Sequence, residues 1–463
     1  MNGRYKAYGE YKESGVEWLG EIPECWHINK MRYMFSFGKG LTITKENLMD
    51  EGIPCVNYGE VHSKFSFEVD PRKDFLKCVN PQYLITSPNS LLNKGDLVFA
   101  DTSEDIEGSG NFTHLVSDDA LFAGYHTIIA RPHESKNSRF YAYLFDCSQL
   151  RSQIKYSVKG VKVFSITQAI LRAINIWLPS PEEQNQIAAF LDHETAKIDT
   201  LIDKQQQLIE LLIEKRQAVI SHAVTKGLDP DVPMKDLGVE WLGEVPEHWT
   251  KSRFKFCTSR IIVGIAEAAT HAYSDSGTPI IRSTNIKEDG LSCGDLIFIK
   301  NFFAQQNESK YLFENDIVTV RTGYPGISAV IPKSLNRSHC FTNLVSSPLS
   351  NHEPEFISEY LNSYMGKAYF SLLGWGSAQK NISVPILQEF SMAFPCKNEQ
   401  REIAQFISEM RNSFNLLIEK SEMLVIVLKE RRTALISAAV TGKIDVRDWQ
   451  VPVTQTESDE VMA

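Results

Sequence analysis

Residues 101–109 read DTSEDIEGS and place Asp101, Glu104, Asp105 and Glu107 within seven positions of one another. Clustered carboxylates of this kind serve metal-assisted phosphodiester cleavage only when positioned partners complete the site. No such partners stand nearby, so the stretch reads as a solvated acidic loop. ATP-driven work would need a phosphate loop of the form G-x-x-x-x-G-K-[ST]. Adenine methylation would need a G-x-G-x-x-G turn after a strand and an N-P-P-F or D-P-P-Y motif, and the chain has none of these. Its eight cysteines (Cys25, Cys55, Cys78, Cys147, Cys257, Cys293, Cys340 and Cys396) never form C-x-x-C, and its eleven histidines never fall at H-x-x-x-H spacing. No catalytic residue and no metal ligand is assigned, and the thiols read as reduced and packed.

The elements that position any chemistry are written twice. GVEWLGEIPECW (15–26) returns as GVEWLGEVPEHW (238–249), and EKRQAVISHAVT (214–225) returns as ERRTALISAAVT (430–441) at an offset of 216. The order is phrase, insert, helix, then phrase, insert, helix. From Glu183 and from Glu399 no Gly or Pro occurs until Gly227 and Gly442, which predicts two helices roughly 60 Å long. Apolar residues recur at steps of three and four, which predicts a seam of Ile187, Leu191, Ile198, Leu201, Leu208, Leu212 and Val219. On the second helix it predicts Ile403, Ile407, Met410, Phe414, Leu417, Leu424, Leu428 and Leu435. The seams are in phase at the repeat offset, so intrachain pairing of the two helices is expected, with a homodimeric coiled coil or a simple bundle as the other reading of the heptads. Polar positions correspond too, Gln205 with Ser421 and Lys215 with Arg431, as in a layer that sets register.

The net charge of −10 speaks against nucleic acid until it is mapped. Residues 27–178 carry 17 basic and 16 acidic side chains and residues 250–394 carry 13 and 12, while residues 179–249 hold an excess of eight acids. The inserts are near neutral and the connectors acidic, which leaves DNA binding by the inserts open. Strands are expected at 96–100, 125–131, 279–282 and 316–320, and helices at 138–154 and 355–373. The loops share little: DTSEDIEGSGNFTH stands where the other copy has RTGYPG. A repeated frame with unlike loops presents two different binding surfaces. No apolar run spans a bilayer and the polar start MNGRYKAYGEYKE lacks a signal-peptide layout, so a cytoplasmic protein with no membrane partner is expected.

The twin phrases, KGDLVFADTSED and ENDIVTVRTGYPG, GSAQKNIS (376–383), and PSPEEQNQIAAFLD and PCKNEQREIAQFI leading into the helices together resemble the specificity subunit of type I restriction-modification systems, over nearly all of residues 11–449. The resemblance implies an α+β fold with an internal tandem repeat and pseudo-two-fold symmetry. Two mixed α/β target recognition domains, residues 1–178 and 230–394, are separated by long antiparallel helices at 179–229 and 395–445 forming an intrachain coiled coil, with a disordered tail at 446–463. It implies a non-catalytic subunit that reads the two halves of a gapped double-stranded DNA site. Its implied partners are two modification subunits, which bind S-adenosylmethionine and methylate adenine, and restriction subunits, which use ATP and Mg; this chain binds no cofactor itself. Base reading calls for side chains with paired hydrogen bonds on loops. Gln379, Lys380 and Asn381 of the family-like motif qualify, with Arg321 of RTGYPG, and Lys159 and Lys162 of SVKGVKVFS hold the corresponding place in the first insert. Trp18, Leu19, Trp26, Trp241, Leu242 and Trp249 of the phrases are expected to dock partners, to cap the helix ends, or both. The other readings are a protein-interaction scaffold that reads no DNA and a stand-alone methyltransferase or nuclease with unrecognised motifs.

Overall fold

Two helices dominate the computed structural model, which describes residues 5–451 apart from 17, 159–162, 239–242, 267–269, 375 and 377–379. The first runs Pro181–Lys226 and the second Lys397–Val440. The start of the first is set by Ser180, whose Oγ accepts from the Glu183 N–H at 3.3 Å, by Pro181, whose missing N–H costs nothing in a first turn, and by Glu182 and Glu183, which favour the positive end of the helix dipole. Both end on a glycine with left-handed backbone, Gly227 (φ +77°) and Gly442 (φ +73°). A Cβ on Gly442 would lie 2.3 Å from Pro23, so the first phrase packs directly on that helix end.

The chain folds as two units, Met1–Lys204 with Leu424–Ala463, and Gln205–Met423. Each contains half of both long helices. In the first unit Trp177 Nε1 donates to Val440 O at 2.5 Å, and Arg432 Nε donates to Asp199 Oδ1 at 2.9 Å, so the two helical halves run antiparallel. In the second, Arg216 donates to Asn415 Oδ1. Arg216 and Arg432 are 216 residues apart, and so are Asp199 and Asn415. The contact of copy one with copy two is therefore repeated with the copies exchanged.

The seam differs from its expected phase. Ile187, Leu191, Ile198, Ile403, Ile407, Phe414, Leu428 and Leu435 are buried and Leu212, Val219 and Met410 half-buried, but Leu201 (47% exposed), Leu208 (41%), Leu417 (48%) and Leu424 (42%) face outward. One residue further along, Ile202 (8%) and Val425 (9%) are buried and Ile209 and Ile418 half-buried. Likewise Lys215 and Arg431 are exposed, whereas the adjacent Arg216 and Arg432 face the partner helix. The row 198, 202, 205, 209, 212, 216 gains its extra residue from 3.6-residue helical geometry, and Ile198, Ile202 and Ile209 supply its β-branched side chains.

In the first unit a five-stranded sheet is ordered Phe35–Lys39, Thr127–Pro132, Leu97–Ala100, Phe112–Leu115, Glu68–Val69, antiparallel except for the last pair. Helix Ser138–Asp146 covers it through Phe145, whose ring centroid lies 5.2 Å from that of Phe99. In the second unit the order is Thr258–Val263, Leu344–Pro348, Ile317–Thr319, Ser328–Val330, all antiparallel, covered by helix Pro354–Asn362. The single helices expected at 138–154 and 355–373 are each two: the chain turns extended at Cys147 and at Ser363, and Ser363 Oγ caps the next helix at Gly366 N. The disordered tail expected from residue 446 is contradicted at its start. Val446 is buried and the Trp449 ring sits 5.5 Å from Phe190 at the start of the first long helix, because two apolar side chains in the polar run find an apolar seat; residues 452–463 lie outside the described residues.

His114 on strand Phe112–Leu115 is buried with neither ring nitrogen hydrogen-bonded. Burial, helped by the Arg139 charge, pushes its pKa down to about 3. The folded state therefore binds this proton less well than the unfolded chain, so stability is lost as pH falls below about 6.5 and continues to fall towards 3. His114→Leu is expected to remove about 2 kcal/mol of the stability lost between pH 7 and pH 5, read from denaturant midpoints at the two pH values.

Candidate nucleic-acid interface

The RTGYPG loop leaves strand Ile317–Thr319 and is shaped by Gly323 (φ +94°) and Gly326 (φ +98°). At Gly326 only a missing side chain fits, since a Cβ would stand 2.3 Å from the Phe370 ring. The loop is thereby fixed on helix Tyr364–Leu373, with Tyr324 of the Gly-Tyr-Pro-Gly tip exposed. Across from it runs the stretch 380–382. Ile382 N–H donates to Arg321 O at 3.0 Å, Gly323 N–H to Lys380 O at 3.4 Å, and the Thr322 hydroxyl to Asn381 Oδ1. The fold thus brings together Arg321, Lys380 and Asn381, which lie some 60 residues apart in sequence.

Their states differ. Arg321 is half-buried, and its buried Nε–H has no acceptor among the described residues. Lys380 is exposed, but its ammonium donates to Ser371 O and, at 3.2 Å, to Ser371 Oγ. The Asn381 carbonyl is taken by Thr322. Lys380 and Asn381 thus hold the loop that carries Arg321. Gln379 lies outside the described residues.

The first unit repeats the junction with other side chains. Thr102–Ser103 pairs antiparallel with Phe164–Ser165, and Ile166 N–H donates to Asp101 O at 2.8 Å, as Ile382 does to Arg321. Asp101 thus stands where the second unit has Arg321. Lys159 and Lys162 fall outside the described residues. The acidic loop is held by His62, whose Nε2 lies 2.8 Å from Thr102 O and whose Nδ1 lies 2.9 Å from Asn111 Nδ2, and by Arg151, which donates to Asn111 Oδ1 at 2.9 Å. These brace a cavity of about 730 Å³ walled also by Tyr58, Asp105 and Glu107. Sequence reasoning missed His62, Asn111 and Arg151, which no local pattern connects, and it missed Tyr324, for which an aromatic between a turn glycine and a proline was the available signal.

At the phrases the indoles are inside. Trp26 Nε1 donates to Glu183 Oε1 at 3.0 Å and Trp249 Nε1 to Glu399 Oε1 at 2.9 Å, each binding a first-turn carboxylate of a long helix. Leu19 is buried, and Trp18 is half-buried with its ring 6.3 Å from Trp177. Fully buried, Trp26 and Trp249 cap helix ends and offer no surface to a partner; Trp241 and Leu242 lie outside the described residues. Exposed apolar surface lies instead on the long helices, at Leu201 with Leu417, Leu208 with Leu424, and Leu211 with Val427, all at the repeat offset.

Among the described residues no helix is long and apolar enough to cross a membrane. The family model for the type I restriction modification DNA specificity domain matches residues 23–211 and 266–424. The chain is 23% identical over 409 residues to the EcoKI specificity subunit of Escherichia coli K12, covering 84% of this chain and 83% of that one. It is also 23% identical to the putative MjaX specificity subunit of Methanocaldococcus jannaschii, over 94% and 98% of the two chains. A chain from a structure of type I system assembly and conformational transition superposes with a TM-score of 0.65 at 15% identity, over 91% of this chain and 99% of that chain. The HsdS subunit of Thermoanaerobacter tengcongensis gives 0.52 at 15% identity, over 91% and 98%. With the family model spanning most of both repeats, the chain belongs to the DNA specificity subunits of type I restriction-modification systems.

Proposed function

We propose that each unit reads one half of a gapped, asymmetric site on double-stranded DNA, and that the chain docks two modification subunits and, with them, restriction subunits, in the cytoplasm. Catalysis resides in those partners, which bind S-adenosylmethionine, ATP and Mg; this chain supplies sequence choice. One observation carries the reading: the junction built from Ile166 and Asp101 recurs as Ile382 and Arg321, so the frame is kept while the side chain offered changes from acceptor to donor. A carboxylate accepts from cytosine N4 and a guanidinium donates to guanine, so unlike half-sites follow. The outer row of Leu201, Leu208 and Leu211, repeated as Leu417, Leu424 and Val427, supports two copies of one partner, because identical surfaces bind identical chains.

Arg321→Ala tests it. In the assembled complex, DNA affinity is expected to fall by about 1–3 kcal/mol, with discrimination relaxed at one base pair of the second unit's half-site and the other half unaffected. The measurement is competition binding on single-substitution duplexes at fixed salt. Equal weakening on all sequences would reduce Arg321 to a phosphate contact.

A further inference from the structure

The repeat makes each unit a control for the other, and at one place the copies part. In both, a helix of the module docks its first N–H on a serine of a long helix: Ser148 N–H donates to Ser437 Oγ at 3.2 Å, and Tyr364 N–H to Ser221 Oγ at 3.0 Å. Beside each serine lies a cleft, about 470 Å³ in the first unit and about 1020 Å³ in the second.

The first unit fills this region from its own chain. The Phe67 ring lies under the Arg432 guanidinium at 5.7 Å and the Arg139 guanidinium at 5.0 Å, with the Tyr143 ring 5.0 Å away. Glu68, the next residue, pairs with Arg139 at 2.5 Å, and Arg432 is neutralised by Asp199 at 2.9 Å and Asp146 at 3.6 Å. At the repeat offset the second unit has Arg216 for Arg432, but Asn415 for Asp199 and Asn362 for Asp146. Asn362 is already committed, accepting from Ser328 N–H at 2.8 Å and donating to Ser328 O at 2.9 Å. Arg216 is left with the Asn415 amide; among the described residues it has no carboxylate partner and no aromatic ring over it. Of the acids lining the cleft, Glu359 pairs with Arg411 at 2.5 Å and Glu288 with Lys367 at 2.8 Å, and Glu214 and Asp289 form no ion pair with Arg216.

We propose that the second unit's cleft receives an aromatic side chain adjacent to a carboxylate on a partner polypeptide, the ring stacking under Arg216 and the acid completing its charge. The occupant's ring takes the part that Phe67 plays under Arg432, and its acid the part that Asp199 and Asp146 play there, all of which the first unit provides for itself. A polypeptide is favoured over a small molecule because the filled copy is filled by protein side chains, Phe67 just before strand Glu68–Val69. Because the first unit's region is already occupied, this partner binds one unit only and breaks the two-fold equivalence of the chain. The inference stands apart from DNA reading, since the cleft lining includes none of residues 321–324 or 380–381.

The test places the photo-crosslinker p-benzoylphenylalanine at Ile213, which lines the cleft, and in a separate chain at Lys429, its repeat equivalent. Each full chain is assembled with its co-expressed modification and restriction subunits, irradiated, and mapped by peptide mass spectrometry. The expected result is an adduct at position 213 with a partner peptide holding an aromatic residue beside Asp or Glu, absent at 429. Combining it with Arg216→Ala should cut the yield roughly tenfold, the worth of one desolvated cation–π contact. No adduct at 213, an adduct with DNA, a small molecule, a second copy of this chain or a peptide lacking such a pair, equal yields at both positions, or insensitivity to Arg216→Ala would overturn it.

Discussion

Ile202→Asp and Val425→Asp are each expected to destabilise the first unit by more than about 3 kcal/mol, whereas Leu208→Asp with Leu424→Asp is expected to change stability by less than about 1 kcal/mol. The inner substitutions remove a buried β-branched side chain and place an uncompensated carboxylate against the partner helix. The outer ones exchange exposed leucines for exposed carboxylates. The two classes should separate in a second assay as well. Leu208→Asp with Leu424→Asp should abolish co-purification of the modification subunits, because the repeated outer row is the surface proposed to dock them. Urea denaturation and affinity co-purification read the two effects, and loss of stability in the outer pair would return Leu208 and Leu424 to the seam.

Trp26→Ala and Trp249→Ala are expected to cost about 4 kcal/mol each. Both indoles are fully buried, so truncation opens a large cavity at a helix junction. It also strips a donor from Glu183 or Glu399. Glu183 is buried and would be left with the Tyr8 hydroxyl, which donates to it at 2.5 Å; burial and the Glu183 charge push the Tyr8 pKa up, so that proton stays on the tyrosine. Glu399 would keep His248 at 2.9 Å. Trp→Phe at either site keeps the packing and loses only the N–H, with an expected cost of about 1–2 kcal/mol. Thermal melts of the four variants separate the terms, and equal losses in the Ala and Phe variants would mean that packing contributes little.

How far the sequence speaks depends on which residues carry the information. The duplication was legible because identity itself records it, and the long helices because nothing between Glu183 and Gly227, or Glu399 and Gly442, breaks them. The phase of the seam was not. Leu201 stands beside Ile202, Leu208 beside Ile209, Leu417 beside Ile418 and Leu424 beside Val425, so each helix carries two apolar rows one residue apart. A periodicity cannot say which row meets the sister helix and which faces outward. At the candidate interface Arg321 was legible from residue type and loop chemistry, while its pairing with 380–382 is a long-range contact that no window reveals. His62, Asn111 and Arg151 act through hydrogen bonds spanning roughly 40 residues or more, which only the folded chain brings together. Trp26 and Trp249 were open between docking and capping; the carboxylates they bind close the question.

The central claim is that two independent readers share one frame. Single-molecule sequencing of methylated adenines tests it in cells carrying this chain and its modification subunits, before and after residues 27–178 are exchanged for the corresponding module of another specificity subunit. The account predicts a gapped site of which one half changes and the other is kept; a site that changes in both halves, or in neither, would contradict it.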